Sequence, residues 1–286
     1  MPKVYTARLR ARHHEVDAYG FLYPAVYLRY LTQTAIEAST AAGFDAAWYA
    51  TAGANWIVRR STLEVKRPAQ AGDALEVRTW VEDFRRVRSH RRYDIYDRTG
   101  TPCGGAVTDW VFVDMATGKP RRVPTELALG FGVDPSVPAH ERPAWIAPAP
   151  PPTPPRGYHR VRYAELDGLG HMNNATYLDV LMQGTLDVFA EHRWSFDRLV
   201  VNDAAPRVVR VDIEYLDAAM YGDRLELPTW FAPTADGLDV FQQVVRNDGR
   251  LLAQAATHWR WVDLTTGAAV ALPNGLLAAL QPALAA

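Results

Sequence analysis

The sequence predicts an α+β fold made of two tandem domains, each a run of hairpin-linked antiparallel strands packed against one long helix. Three observations predict it. First, the chain matches itself: Arg12, Glu15, Asp17, Gly20, Ala25, Tyr27, Leu28 and Leu31 recur as Arg162, Glu165, Asp167, Gly170, Ala175, Tyr177, Leu178 and Leu181. The same spacing pairs Glu64, Gly72, Asp73, Leu75 and Glu76 with Glu214, Gly222, Asp223, Leu225 and Glu226. After a one-residue slip, Gly100, Trp110, Asp114, Thr117 and Gly118 meet Gly249, Trp259, Asp263, Thr266 and Gly267. So long a period means a duplicated domain, not a solenoid. Second, the segment between the copies, Val133–Arg156, holds nine of the twenty prolines. Proline fixes φ and lacks an N–H, so this stretch reads as an extended spacer. The expected organisation is 1–132, a linker 133–156, and 157–286. Third, both copies show the same order of hydrophobic periods.

That order runs as follows. A short strand (Tyr5–His13; Tyr158–Ala164) leads into a loop with the repeated Asp and Gly. A helix follows over Ala25–Ala42 and Asn174–His192. In the second helix Leu178, Leu181, Met182, Thr185, Leu186 and Phe189 recur at three- and four-residue spacing, which makes one apolar face. Gly43 is placed to end the first helix. Four strand-like runs come next: Trp56–Lys66, Ala74–Asp83, His90–Asp97 and Ala106–Asp114. Their counterparts are Arg207–Leu216, Arg224–Phe231, Asp239–Arg246 and Leu252–Val262. Ala-Gly-Asp, Arg-Thr-Gly and Asn-Asp-Gly mark turns between them. One helix against consecutive hairpins gives an antiparallel sheet with the helix on one face.

Composition narrows the function. Of 286 residues, 48% are hydrophobic and 22% charged, enough for a substantial core. Thirty-one basic against thirty-two acidic residues leave a formal charge of −1, which gives no electrostatic case for nucleic acid. A single cysteine, Cys103, excludes an internal disulfide framework and a multi-cysteine zinc site. Beside Gly104 and Gly105 it reads as a small core thiol. The first residues lack a signal-peptide pattern and no run of about 18 apolar residues occurs, so a cytoplasmic protein without a membrane partner is expected. The histidines show no HxxxH pair and the carboxylates no metal spacing, so no metal is expected. G-x-S-x-G and G-x-G-x-x-G are both absent.

The chemistry concentrates at the junction before each long helix. Asp17 and Asp167 each stand three residues before a glycine, Gly20 and Gly170. Glycine permits a tight turn and close approach of a ligand to the backbone. A helix N-terminus beyond it presents unpaired N–H groups that suit a developing oxyanion, while the carboxylate attacks or activates water. The same aspartates also suit plain turn capping.

The stretch from Asp17 to Tyr27, with Gly20 between, resembles the Asp-x-x-Gly-x-x-x-x-x-x-Tyr signature of 4-hydroxybenzoyl-CoA-type thioesterases. Asp167-Gly-Leu-Gly-His-Met-Asn-Asn-Ala-Thr-Tyr177 is similar to the Asp-x-x-Gly-His-x-Asn-Asn form of acyl thioesterases. Two such units resemble the double-hotdog acyl-ACP thioesterases. The resemblance implies two tandem hotdog domains, each an antiparallel β-sheet wrapped around a central α-helix. It further implies hydrolysis of an acyl-CoA or acyl-ACP thioester, without a cofactor, by a monomer with an internal hotdog pair or by a homodimer. Asp167 and Asp17 inherit the role of nucleophile or general base. His171 would orient the carboxylate or a water, and Asn173 joins it at the helix start, where capping is its other role. Gly170, Gly20 and Phe21 would line the substrate, Phe21 as an apolar wall in the first copy. Two departures stand out. Leu169 replaces the Asn of the acyl-ACP enzymes, and Ala218 and Ala219 replace their later acidic-Cys pair. Glu37 and Asp187, on the helices, are alternative carboxylates, and His13 and Tyr163 are alternative donors to the aspartates.

The run Arg85–Arg92 holds five arginines in eight residues. Arg86, Arg88 and Arg91 are read as a docking patch for CoA phosphates or an acidic carrier, with a charge-blunted strand edge as the other reading. The rival functional class is a non-catalytic double hotdog that binds acyl chains or a partner. A hotdog dehydratase is a third, disfavoured because His171 follows Asp167 by four residues without the Asn-Pro of that motif. The second copy, with His171 and Asn173, is expected to be the main catalytic unit.

Overall fold

In a computed structural model that describes residues 2–134 and 144–285, the alternating segments of each half become one antiparallel set of strands. The chain divides into two units, Met1–Ala144 and Trp145–Ala286.

In the first unit, β1 (Tyr5–Arg10) precedes α1 (Pro24–Ala41) and a short α2 (Ala46–Ala52). Strands β2 (Ala54–Val65), β3 (Ala74–Phe84), β4 (Arg88–Asp97) and β5 (Pro102–Asp114) follow, then α3 (Thr125–Gly130). The strand order is β1-β3-β4-β5-β2, antiparallel throughout. Helix α1 lies against β1 and β3 and buries Ala25, Leu28, Leu31, Ala35 and Ala38 on one face. This is the three- and four-residue spacing of an amphipathic helix, and each large aliphatic chain so buried contributes about 1.5–3 kcal/mol.

The second unit repeats the plan. Strand β6 (Arg156–Arg160) precedes α4 (Asn174–Glu191) and a single turn, α5 (Phe196–Leu199). Strands β7 (Ala204–Tyr215), β8 (Arg224–Pro233), β9 (Leu238–Arg246) and β10 (Leu251–Asp263) pair in the order β6-β8-β9-β10-β7. A two-residue β11 (Ala269–Val270) adds to β10, and α6 (Leu276–Ala279) closes the unit. Helix α4 rests on β6 and β8. Its core is aromatic: Phe189 stacks on Phe231 at 5.5 Å and meets Trp259 and Trp261 edge-on or tilted at 6.0 and 6.4 Å.

The sequence reading and the structure agree on the order of the main elements and differ at their ends. The first strand of each copy stops early, at Arg10 and Arg160, and a 3-10 turn (His13–Glu15; Tyr163–Glu165) takes up the rest. Each turn is held by its own glutamate, because Glu15 accepts the Arg12 N–H at 2.8 Å and Glu165 the Arg162 N–H at 2.9 Å. The short helices α2 and α3 were not expected. Of the proposed linker, residues 135–143 lie outside the described residues, and 144–155 form neither helix nor strand. Its prolines still have carbonyls to offer: Pro148 accepts the Trp230 indole N–H at 3.1 Å and Pro155 the Thr229 N–H at 2.9 Å. Among the described residues no helix is long and apolar enough to cross a membrane.

Candidate active site

Each unit builds its Asp–Gly loop from backbone bonds that the sequence dictates. In the first unit the Asp17 N–H donates to the Phe21 carbonyl at 2.8 Å and the Gly20 N–H to the Asp17 carbonyl at 3.0 Å. In the second, Asp167 and His171, and Gly170 and Asp167, make the same two bonds at 2.8 and 3.0 Å. Gly20 and Gly170 take φ of +83° and +77°, a left-handed conformation that explains glycine at this place in both copies. Short bridges, Val16 to Leu22 and Leu166 to Met172, close the loop just before the helix.

The aspartate side chains first serve their own turns. Asp17 Oδ1 accepts the Tyr19 and Phe21 N–H groups at 2.9 and 3.0 Å. Among the described residues Asp167 Oδ1 accepts one N–H, that of Leu169, at 2.8 Å. The two carboxylates, both half-buried, are therefore held differently, and the one in the second unit accepts fewer backbone N–H groups. Turn capping and chemistry do not exclude each other here, since one oxygen can anchor while the other faces a ligand.

The helix starts differ as well. Asn173 caps α4, its Oδ1 accepting the Ala175 N–H at 3.0 Å. Helix α1 has no side-chain cap; Tyr23 precedes it and Pro24 opens it, removing one of the first-turn donors. His171 is half-buried on the same loop as Asp167, joined to it through the backbone bond above. Its counterpart Phe21 is buried, and bridges Gln70 as His171 bridges Met220.

The tyrosine that ends each signature has a role that sequence reasoning missed. Tyr27 Oη accepts the Ala69 N–H at 2.9 Å, and Tyr177 Oη accepts the Ala219 N–H at 3.0 Å. In each unit the helix thereby latches the loop after the long strand β2 or β7, and that loop pairs in turn with the Asp–Gly loop through Leu22 to Ala69 and Met172 to Ala219. Burial above all pushes the Tyr177 phenol up to about 12, so it stays a neutral hydroxyl. The coincidence of Asp, Gly and Tyr at fixed spacing was the signal for it.

Other candidates lie elsewhere. Glu37 and Asp187 accept from Gln33 and Gln183 one helical turn back, at 3.0 and 2.7 Å; Asp187 is exposed, and Glu37, half-buried, also accepts from the Tyr5 hydroxyl of β1 at 3.4 Å. Tyr163 is 82% exposed and His13 is exposed too, so neither donates to its aspartate. Ala218 and Ala219 contribute backbone groups, the Ala218 N–H to Asp217 Oδ1 at 2.9 Å and the Ala219 N–H to the Tyr177 hydroxyl at 3.0 Å. Cys103 is buried, its thiol pushed up to about 11 chiefly by burial and its Sγ against the Ile95 carbonyl, as a core thiol.

The arginine run divides. Arg85, Arg86 and Arg88 are exposed on the β3–β4 turn, where the Arg85 N–H closes on the Arg88 carbonyl at 2.7 Å. Arg92 is tied to Glu82 at 2.6 Å. Arg91, expected on the surface with Arg86 and Arg88, is only 6% exposed. Strand alternation is the reason: Arg91 pairs with Val81 and Thr108, and shares their inward face.

Both halves match known families. The acyl-ACP thioesterase N-terminal domain matches residues 2–131, and the thioesterase-like superfamily matches residues 161–280. The long-chain acyl-CoA thioesterase FadM of Escherichia coli is 30% identical over 128 residues, 44% of this chain and 92% of FadM. The chloroplastic oleoyl-acyl carrier protein thioesterase 1 of Arabidopsis thaliana is 25% identical over 145 residues, 45% of this chain but 38% of the plant protein. An acyl-ACP thioesterase structure from Bacteroides thetaiotaomicron shares the fold, with a TM-score of 0.72 at 21% identity over 90% of this chain and 97% of that one.

Proposed function

The chain belongs to the hotdog acyl thioesterases, related to both the acyl-ACP and the acyl-CoA enzymes, and from that premise we propose that Asp167 is the carboxylate that drives its reaction. The activity is hydrolysis of an acyl thioester to the free acid and a thiol. The carrier is CoA or acyl carrier protein, the two that the relatives act on.

The observation that carries the proposal is the asymmetry of the two aspartates. Asp167 Oδ1 is anchored by one backbone N–H, on a half-buried loop that also carries His171 and runs into a capped helix. Asp17 Oδ1 receives two N–H groups and is followed by Phe21 and Pro24, which offer no proton relay. In this reading Asp167 takes a proton from water, or attacks the thioester carbonyl itself. The oxyanion forms against the positive end of α4, where such donors contribute about 10²–10³ in rate. His171 positions the water, and Asn173 keeps the helix start in place. Asp17 acts as a second or substitute site. Arg86 and Arg88, exposed on their turn, attract the phosphates of CoA or an acidic carrier.

The test is a pair of isosteric changes. Asp167→Asn keeps the turn-capping oxygen and removes the base, so kcat should fall by about 10²–10⁴ with folding preserved. Asp17→Asn should cost much less. The reverse outcome would assign the chemistry to the first unit, and no loss in either would end the carboxylate mechanism. Absence of turnover on any acyl-CoA or acyl-ACP would favour a binding role instead.

A further inference from the structure

Glu165 stands two residues before Asp167 and joins the three segments around it. Its carbonyl accepts the Asn173 N–H at 2.9 Å, which closes the base of the loop between the 3-10 turn and the cap of α4. One side-chain oxygen, Oε2, accepts the Arg162 N–H at 2.9 Å inside that turn. The same oxygen meets Nε2 of His159, on β6, also at 2.9 Å. An ionised carboxylate only accepts, so the imidazole is the donor and its proton sits on Nε2. The two side chains are shielded, at 15% and 17% exposure. A charge-assisted bond so placed is shorter and stronger than one between neutral groups, and it escapes the screening of a surface pair.

The first unit holds the same glutamate with a different side chain. Glu15 keeps the backbone bonds: Oε2 accepts the Arg12 N–H at 2.8 Å, and its carbonyl the Tyr23 N–H at 3.0 Å. Leu9 faces Leu75 across the β1–β3 pair as His159 faces Leu225 across β6–β8, so a leucine occupies the histidine's place. The donor comes instead from the helix, where the Tyr30 hydroxyl reaches Glu15 Oε2 at 2.5 Å. Burial above all, and the bond to Glu15 after it, raise the Tyr30 phenol, which therefore stays a hydroxyl. At the matching place α4 has Val180, which has no donor to offer. Between the copies the donor has moved from helix to strand while the acceptor has stayed. Two unlike side chains reaching one carboxylate mark that carboxylate as a group that must be held.

We propose that His159 is a positioning residue for the reaction of the second unit: through Glu165 it fixes the loop that carries Asp167. Inside the closed base, the Leu166–Met172 bridge and the Asp167 N–H to the His171 carbonyl pass that position on to the aspartate. A reacting group displaced by about 1 Å loses about 10² in rate even in an intact fold. His159 points its donor at Glu165 and not at a ligand, so its effect falls on kcat and spares KM. The proposal rests on the reading of Asp167 as the working carboxylate, and its test separates the two.

Turnover of oleoyl-CoA is measured for the wild type, His159→Leu, a swap combining His159→Leu with Val180→Tyr, Asp167→Asn, and Asp167→Asn with His159→Leu. Amide hydrogen exchange of the Asp167 loop is followed on the same proteins. His159→Leu should lower kcat by about 10–10² with KM within about twofold of the wild type, and should speed exchange at the Asp167 and Gly170 amides about tenfold. The swap rebuilds the first unit's arrangement, a leucine on the strand and a tyrosine on the helix, and should recover most of both losses. No recovery in a folded swap would return His159 to plain packing and overturn the proposal. With Asp167 already changed to Asn, His159→Leu should cost less than about threefold further in kcat, because its effect passes through that carboxylate. An unchanged kcat or unchanged loop exchange in His159→Leu would overturn the proposal and leave the thioesterase reading intact. A raised KM at constant kcat would overturn it as well. If His159→Leu does not fold, Glu165→Gln replaces it: the amide still accepts the Arg162 N–H but holds His159 less tightly, and wild-type kcat there would overturn the proposal. Full turnover in Asp167→Asn, with a loosened loop and lowered kcat in His159→Leu, would support the positioning role while removing the Asp167 reading.

Discussion

Tyr27 and Tyr177 show how one hydroxyl can serve as a structural rivet in a catalytic signature. Each accepts a buried backbone N–H, from Ala69 or Ala219, that would otherwise go unpaired. Losing the oxygen leaves that donor desolvated and unsatisfied, which costs about 1–3 kcal/mol. Tyr177→Phe should therefore lower the unfolding free energy by about that amount in a urea titration, and should lower kcat through the displaced Asp167 loop. An unchanged midpoint would show that water replaces the latch. Gly170 is a second rivet of the backbone kind: a Cβ there would meet nothing within 4 Å, so its constraint is the φ of +77° alone. Gly170→Ala should cost about 1 kcal/mol. The residue scale also holds an exchange between the copies. His90 on β4 faces Asp109 on β5, while at the matching places Asp239 on β9 faces His258 on β10. His90 Nδ1 meets Asp83 at 2.8 Å and its Nε2 lies 3.5 Å from Asp109; His258 meets Asp239 at 2.7 Å and Asp236 at 3.3 Å. The cross-strand pairing survived duplication although the partners traded strands.

Among the elements, the hairpins β4–β5 and β9–β10 depend on carboxylates in their turns. The Thr99 hydroxyl, followed by the Thr101 N–H, holds Asp97 down at about 2, and the Arg246 guanidinium, followed by the Arg250 N–H, does the same for Asp248. A carboxylate whose folded pKa is lowered stabilises the fold above its unfolded value and loses that contribution as pH falls through the folded one. The melting temperature should thus decline between about pH 4 and pH 2, and less steeply in an Asp97→Asn, Asp248→Asn double variant. An identical slope would place the acid sensitivity elsewhere. How legible an element was followed from the length of its pattern. Helices α1 and α4 run for five turns with one buried face, and their period stands out. Helix α2 spans seven residues, so its marks are only local: Asp45 accepting the Trp48 N–H at one end and Gly53 at φ +60° at the other. The aspartate loops were legible as loops because only glycine suits their left-handed turn. Which oxygen faces a ligand was not, because that depends on bonds to N–H groups that sequence spacing does not count. Arg91 was hidden by its neighbours: five arginines in a row of eight mask the period of two that turns one of them inward.

At the scale of the whole chain, duplication produced two units with one topology and different interiors and turns. Both cores are aromatic, Phe44, Phe112 and Phe131 in the first unit and Phe189, Phe231 and Trp261 in the second, but the second adds a histidine loop and the first a buried arginine and an arginine-rich turn. The duplication itself was plain in the sequence, because glycines at turns and aspartates at loops kept their spacing. The divergence in charge was visible too, but its orientation needed the strands. With a net charge of only −1, the molecule exerts little overall field on an anionic carrier, so a local cluster must do the steering. Arg86 and Arg88 are placed for it, on a turn pinned by the Val123 N–H to the Arg86 carbonyl and the Phe112 N–H to the Val87 carbonyl, both at 2.9 Å. The matching turn of the second unit, Thr234–Gly237, carries Asp236 instead, itself bound to Arg260. Exposed charges act over about 8 Å at physiological ionic strength and are screened beyond it. Replacing both Arg86 and Arg88 by Ala should therefore raise KM several-fold at low salt, leave kcat nearly unchanged, and flatten the dependence of KM on ionic strength. Because neither side chain packs in the core, stability should move by less than about 0.5 kcal/mol, so a change in KM reports docking and not folding. A KM that stays the same in the double variant at every salt concentration would make the turn a solvated edge that keeps the β3–β4 hairpin from pairing with another chain.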